Sequence, residues 1–409
     1  MNTKVSAFSD KYTGSKVVQW TSSENDDQHL YFTSPSITDD DKFLIIISTQ
    51  NGNPNLYAID RNTHQIIQIS RATGLLHSYT YPNGGTTGFS KASPFLDSKQ
   101  GIVYWIQDDS VWASKVEIDS KPNKLADLPA GWVTGYIHLS PDRKSLCIPC
   151  TDPLAFSRSD LTQHDQLKRV PQRMVESGLV SKLLILDIEK REIKILAELP
   201  FWATHVQFVG NNQILCNSEG GLAITGNRTY PYWGRMWLVD DQGGYKRLFD
   251  QQEGEYVNHE NLLQASGNII YHGTDKLSLA NKLQLYFYLG LNKYFKFKID
   301  PNKIQEIYRH FVAIRDIFGN LKEIIYVNFP VSHAVEGNTH FSFFVDSRDG
   351  FIYGKNIVSN GMSKICCHGS RMLMQDSHPH PRTHNHTISL IFTSDIAGSC
   401  NVYEVTPNL

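Results

Sequence analysis

Phe43-Leu44-Ile45-Ile46-Ile47-Ser48, the turn Asn51-Gly52-Asn53-Pro54 and Leu56-Tyr57-Ala58-Ile59-Asp60 read as an apolar strand, a tight turn and a second strand ending on an acidic residue. Just ahead, Ser34-Pro35-Ser36-Ile37 and an Asp-rich turn complete the unit. The same order returns at the far end of the chain as Phe392-Thr393-Ser394-Asp395, a turn at Gly398, and Asn401-Val402-Tyr403-Glu404-Val405. Similar units lie between them, at Ala92 to Val116, Ile137 to Leu196, His205 to Phe249, Asn261 to about Ile299, and His340 to Cys367. Seven units of roughly 50 to 60 residues each suit blades of four short strands with turns. The expected fold is all-β: a seven-bladed β-propeller forming a single domain over residues 1–409.

Val17-Val18-Gln19-Trp20 precedes the first unit and is expected to supply the outer strand of the last blade, which closes the ring and removes an exposed sheet edge. Helical periodicity is scarce. Ser159 to Gly178 is the clearest exception, a polar stretch expected as an inserted loop or short helix in the third blade. The aromatic run Tyr286 to Phe297, in the least regular unit, is expected to form paired strands.

The chain has 409 residues, 40% of them hydrophobic and 20% charged, enough to bury a substantial core. Its 39 basic and 41 acidic side chains leave a net charge of -2, so nothing draws the whole molecule to nucleic acid or to an anionic membrane. Any anionic ligand must be met locally. The start of the chain does not read as a secretory signal, and no stretch approaches the roughly 20 apolar residues of a membrane span. A soluble, cytoplasmic protein with reduced structural thiols is the expectation; its six cysteines are too few to staple a chain of this length.

The sharpest chemical signal is Gln375-x-x-His378-Pro379-His380. In extended chain, residues two apart share a face, so both imidazoles can point at one spot that the Gln375 carbonyl also reaches. Such a donor set suits a borderline divalent ion. The plainer alternative is a pair of surface histidines in a histidine-rich stretch, since His368, His384 and His386 lie nearby. Arg235 opens one strand, and His259 begins the next unit. One blade step apart, they are expected at the same end of the channel, although each alone would pass for a solvated charge or a satisfied polar group.

With these residues in view, the chain resembles the oligogalacturonate lyases over nearly its full length. His29-Leu30-Tyr31-Phe32-Thr33-Ser34-Pro35-Ser36 and Gly52-Asn53-Pro54-Asn55-Leu56-Tyr57 look like that family's opening blade. Thr204-His205-Val206-Gln207-Phe208, Glu219-Gly220 and Gly234-Arg235-Met236-Trp237 look like its central blade. Gln375 to His380 with Phe392-Thr393-Ser394-Asp395 looks like its closing blade. The resemblance implies a seven-bladed propeller that binds manganese through one glutamine and three histidines and cleaves di- and trigalacturonate by β-elimination. It implies Gln375, His378 and His380 as metal ligands with His340 as the third histidine, His259 as the base, and Arg235 near the substrate. His205 and Glu219 are expected to line the substrate site. There are departures: Cys216-Asn217-Ser218-Glu219-Gly220 stands where the family has Cys-His-Glu-Gly, and Gly354-Lys355-Asn356 replaces a Gly-Asp-Gly.

The chemistry needs these residue types. The C5 proton of a uronate is hard to remove because the ionised carboxylate resists more negative charge; a divalent cation relieves this, and a neutral imidazole can take the proton. Two other readings are open: a lyase for a related uronide, and a non-catalytic propeller that binds proteins or peptides.

Overall fold

Every residue of Phe43–Ser48 is buried, and the reason lies in what covers its two faces. Successive side chains of a strand point to opposite sides. Phe43, Ile45 and Ile47 pack with Leu96, Val103 and Trp105 of the following unit, whereas Leu44 and Ile46 pack with Trp20, Ile391 and Val402 from the two ends of the chain. A sheet covered on both faces reads as a continuous apolar run. That pattern repeats around the molecule, and the core is a ring of clusters, most of them shared between adjacent sheets.

The computed structural model describes residues 3–22, 24–52, 54–71, 94–156, 169–219, 231–295, 307–372, 377–384 and 387–409, with 291–295 as backbone. Among them the strands form seven antiparallel sheets of four or five strands each. The fold is the expected seven-bladed β-propeller. The innermost strands, blade one to blade seven, are Asp27–His29, Phe95–Asp97, Val133–Thr134 with His138–Leu139, Val206–Val209, Tyr256–Leu263, Val331–Glu336 and Arg382–Thr383.

The ring closes where the N-terminus enters blade seven. Lys16–Gln19 pairs with Asn401–Thr406, with Val17 opposite Val405, and Ser6–Ser9 adds a further outer strand. The segment expected to close the ring does so, but one strand in from the edge. Across this seam the Trp20 Nε1 donates to Glu404 at 2.9 Å, Arg61 of blade one reaches the same carboxylate at 2.9 Å, and its guanidinium stacks over the Trp20 ring.

Two helices are described. α1, Arg169–Ser177, falls within the insertion expected in blade three and buries Val170 and Met174, one turn apart, against Trp202; residues 159–168 of that insertion lie outside the described residues. α2, Leu279–Phe295, corrects the expectation for Tyr286 to Phe297, as far as Phe295. Blade five already has its four strands without it, so this aromatic run has no sheet to join and takes the helical conformation that makes all its own backbone bonds.

Within each blade the inner strand runs away from one mouth of the channel and its neighbour returns. The connections from second to third strand, and from one blade to the next, therefore collect at the mouth where inner strands begin. α1 and α2 both belong to that mouth.

Candidate metal centre and its surroundings

His333 lies near the start of the blade six inner strand, where a register shift between Val331 and His333 marks a bulge. Asp346, directly across on the next strand, is fully buried and takes hold of it twice. Its Oδ1 accepts the His333 backbone N–H at 2.7 Å, and its two oxygens lie 3.1 and 3.0 Å from Nδ1. Burial would raise the Asp346 carboxyl, yet His333 opposite holds it below the usual carboxylate range. A carboxylate can only accept, so Nδ1 carries the hydrogen. The Nε2 is buried and has no hydrogen-bond partner among the described residues.

His378 and His380 come from the connection that enters blade seven. The carbonyl between them, that of Pro379, accepts from His29 Nε2 and from the Thr393 backbone N–H, each at 3.0 Å, which fixes the loop. His380 stands at φ 45°, a left-handed backbone conformation that a non-glycine residue adopts only where its surroundings impose it. The ring of His380 lies 4.3 Å from that of His333, and His378 presents a buried Nδ1 with no hydrogen-bond partner. One nitrogen from each of His333, His378 and His380 falls within 4.8 Å of the others. Burial drives His378 down to about 3 and His380 well below the ordinary 6.5, so both rings are neutral donors at neutral pH.

This arrangement fits a divalent metal. The test is the pair of buried ring nitrogens at His333 and His378 that no described residue satisfies, together with the carboxylate behind His333 that a metal-binding imidazole commonly has. Three imidazoles suit manganese, iron or zinc. Gln375, expected as a fourth ligand, lies outside the described residues. His340, expected as the third histidine, is corrected by His333. It is exposed in the turn leaving the blade six inner strand, its N–H bonded to Asn338 Oδ1 at 2.9 Å, and that turn belongs to the opposite mouth.

His259 stands beside the trio, its ring 4.3 Å from that of His333. The blade five inner strand shifts register between Asn258 and Asn261, and His259 adopts φ 48°; such a bulge re-aims a side chain. Its Nδ1 lies 2.5 Å from the Ser332 carbonyl and 3.1 Å from His272 Nε2. Since the carbonyl can only accept, Nδ1 carries the hydrogen and Nε2 keeps its lone pair. Burial, then the neighbouring histidines and Arg235, hold its pKa well below 6.5.

Arg235 is close by but not open to a ligand in the way expected. It is 2% exposed, its Nε is 2.6 Å from Glu260 and its Nη1 3.1 Å from Glu219. Glu219 is thereby engaged as well, and it also accepts from Asn217 Nδ2 at 3.0 Å. His205 is likewise spoken for: Nε2 meets the Tyr31 hydroxyl at 3.0 Å, and Nδ1 meets Thr204 Oγ1 at 2.7 Å. Asn217, at the departure from the family pattern, is a clamp. Its Oδ1 accepts the backbone N–H groups of Thr204 and His205 at 2.9 and 2.8 Å.

Sequence reasoning missed His333, Asp346, His272, Tyr31 and Phe32. The last two form an aromatic wall, with Tyr31 4.8 Å from His380 and Phe32 5.1 Å from His333, ring to ring. Position along the blade was the available signal, because His205 sits just before an inner strand, His333 near the start of one and His259 at a bulge within one.

No protein-family profile matches this sequence, and no curated protein matches it. Solved structures do. An oligogalacturonate lyase from Vibrio parahaemolyticus superposes with a TM-score of 0.75 at 18% identity, covering 99% of this chain and 97% of that one. These likenesses establish the fold. A second oligogalacturonate lyase structure, described as a complex with manganese, gives 0.75 at 18% over 100% and 97%. A catalytically inactive virginiamycin B lyase from Staphylococcus aureus, with quinupristin, gives 0.51 at 8% over 99% of each chain.

Proposed function

We propose that this chain is a metal-dependent lyase that cleaves short uronide oligomers by β-elimination. The observation that carries the reading is the juxtaposition of three histidine nitrogens, two of them buried and unsatisfied, with a fourth histidine whose Nε2 is unprotonated. The fold shared with oligogalacturonate lyases, one described with manganese, supports it.

His333, His378 and His380 would hold the ion, and Asp346 would keep His333 in the right tautomer. A bound divalent cation supplies the positive charge that offsets the uronate carboxylate and acidifies C5. His259 Nε2 takes the C5 proton, the pair of electrons from C5–H forms the C4–C5 double bond, and the C4–O bond breaks. The C4 oxygen leaves with the bonding pair and takes its proton from solvent, His259 later releasing the C5 proton to solvent, and the remaining sugar is 4,5-unsaturated. Tyr31 and Phe32 keep water from one side of the site. Arg235 acts from behind, fixing Glu260 next to His259. With Arg235 committed, the exposed Arg348 at the same mouth, whose charge is felt at both His378 and Tyr256, is the cation available for a substrate carboxylate.

The test is to incubate the protein with manganese and a panel of di- and trisaccharide uronides, following the ultraviolet absorbance of the conjugated product. Turnover of digalacturonate, abolished by chelator and restored by metal, is expected. Silence with every uronide would overturn the reading in favour of a binding propeller. Arg348→Gln should raise KM with a smaller effect on kcat; an unchanged KM would remove Arg348 from the site.

A further inference from the structure

One side of α2 is left uncovered by the described residues. The helix sits in the connection between Asn268–Thr274 and His310–Arg315 of blade five, at the mouth where the histidines gather. Asn281 Nδ2 donates to the Ile307 carbonyl at 2.7 Å, and Asn281, Leu285 and Tyr288 are half-buried on that side. The other side carries Leu279, Leu283, Tyr286 and Phe287, spaced as one helical face, and they are 75%, 62%, 68% and 62% exposed. Contiguous exposed apolar surface of this kind marks a binding surface.

Charge decides what binds. Between Lys276 and Lys293 the sequence holds three lysines and no acidic residue, in a chain whose net charge is -2; Lys276 and Lys282 are exposed. A basic helix with leucines and aromatic rings on one face fits the boundary between lipid headgroups and acyl chains. The helix is not long and apolar enough to cross a membrane, so it would lie in the surface. A second copy of the chain fits worse, because a two-fold interface sets the same patch against itself and would bring lysines together with no carboxylate in the segment to meet them.

We infer that α2 is an interfacial helix through which the protein docks on an anionic lipid surface with its histidine mouth toward that surface. This does not depend on the lyase reading, since the test reads binding alone. Full-length protein is sedimented with vesicles of phosphatidylcholine, or of phosphatidylcholine with phosphatidylglycerol. It should pellet with the anionic vesicles at low salt and be released as salt screens the lysines. Lys282→Gln should weaken binding about fivefold, the worth of one basic residue near such a surface. Leu283→Glu with Phe287→Glu should abolish it while leaving the melting temperature unchanged, both side chains being exposed in the free protein. Protein that stays in solution with anionic vesicles, binds neutral ones equally, or binds regardless of the double substitution overturns the inference. So does a dimer in analytical ultracentrifugation that the double substitution dissolves, which would assign the face to a second copy.

Discussion

Replacing Arg235 with Met removes the guanidinium that stands between two carboxylates. The Arg235 and Glu260 side chains are 3% and 2% exposed and 2.6 Å apart, so Glu260 would be left as an unpaired charge in the interior. Losing one partner of such a buried pair costs about 3 to 5 kcal/mol. With about 2.1 cal/mol/K of unfolding entropy per residue over 409 residues, the melting temperature should fall by about 3 to 6 °C. The loss should depend on pH. Burial already raises the Glu260 carboxyl, with Arg235 pulling against it, and removing Arg235 raises it further. A group whose folded pKa is raised is best tolerated where it is protonated. The deficit of Arg235→Met should therefore be small below about 4.5, the ordinary value for Glu, and grow as pH rises toward neutrality. Differential scanning calorimetry of Arg235→Met, and of Arg235→Met combined with Glu260→Gln, across that range checks this. The double variant should recover most of the loss. A single variant that melts with the parent at neutral pH, or a double variant no better than the single, would refute the reasoning.

His333→Ala should lose the metal measured by elemental analysis, and Asp346→Asn should keep the ligand but weaken metal affinity by about 10- to 100-fold; retention of parental affinity by both would dismantle the proposed centre. His259→Ala should lower turnover by roughly 10²- to 10⁴-fold with metal content unchanged, whereas loss of metal along with activity would make His259 a ligand. Acid stability is separate from the site. His138, buried between Phe95 and Phe208 with its Nδ1 accepting the Phe208 N–H at 3.3 Å, has its pKa lowered by burial from 6.5 to about 3. Its stabilising effect is full above 6.5 and is lost as pH falls toward 3, about 2 kcal/mol of it by pH 5. Denaturant unfolding should show that slope reduced in His138→Gln, and an unchanged slope would count against it.

The blades were legible because their middle strands are covered on both faces, so Phe43 to Ile47 announces itself as an unbroken apolar run, and Val402, Tyr403 and Val405 mark the last blade. The closing strand was legible for the same reason, as Val17 and Trp20 are core residues. The histidine pair could be read because it is local. The third histidine could not, since His333 and His340 bracket one inner strand and only the direction of that strand says which of them is at the metal end. The pairing of Arg235 was not legible for a related reason. Its partners Glu219 and Glu260 come from a loop and from the next blade, and sequence spacing does not show that both carboxylates converge on it. α2 escaped because aromatic residues favour strands only where a sheet edge is there to receive them.

Blade seven is assembled from both ends of the chain, and this bears on biosynthesis. As the polypeptide emerges, blades one to six can stack in order, but the hairpin of Ser6–Ser9 and Lys16–Gln19 waits for Asn401–Thr406 before it joins a larger sheet. The loop carrying His378 and His380 is anchored by His29, 350 residues earlier. An incomplete chain can therefore hold His333 in place without ever presenting the trio, and the cluster that could hold an ion is assembled only with the finished ring.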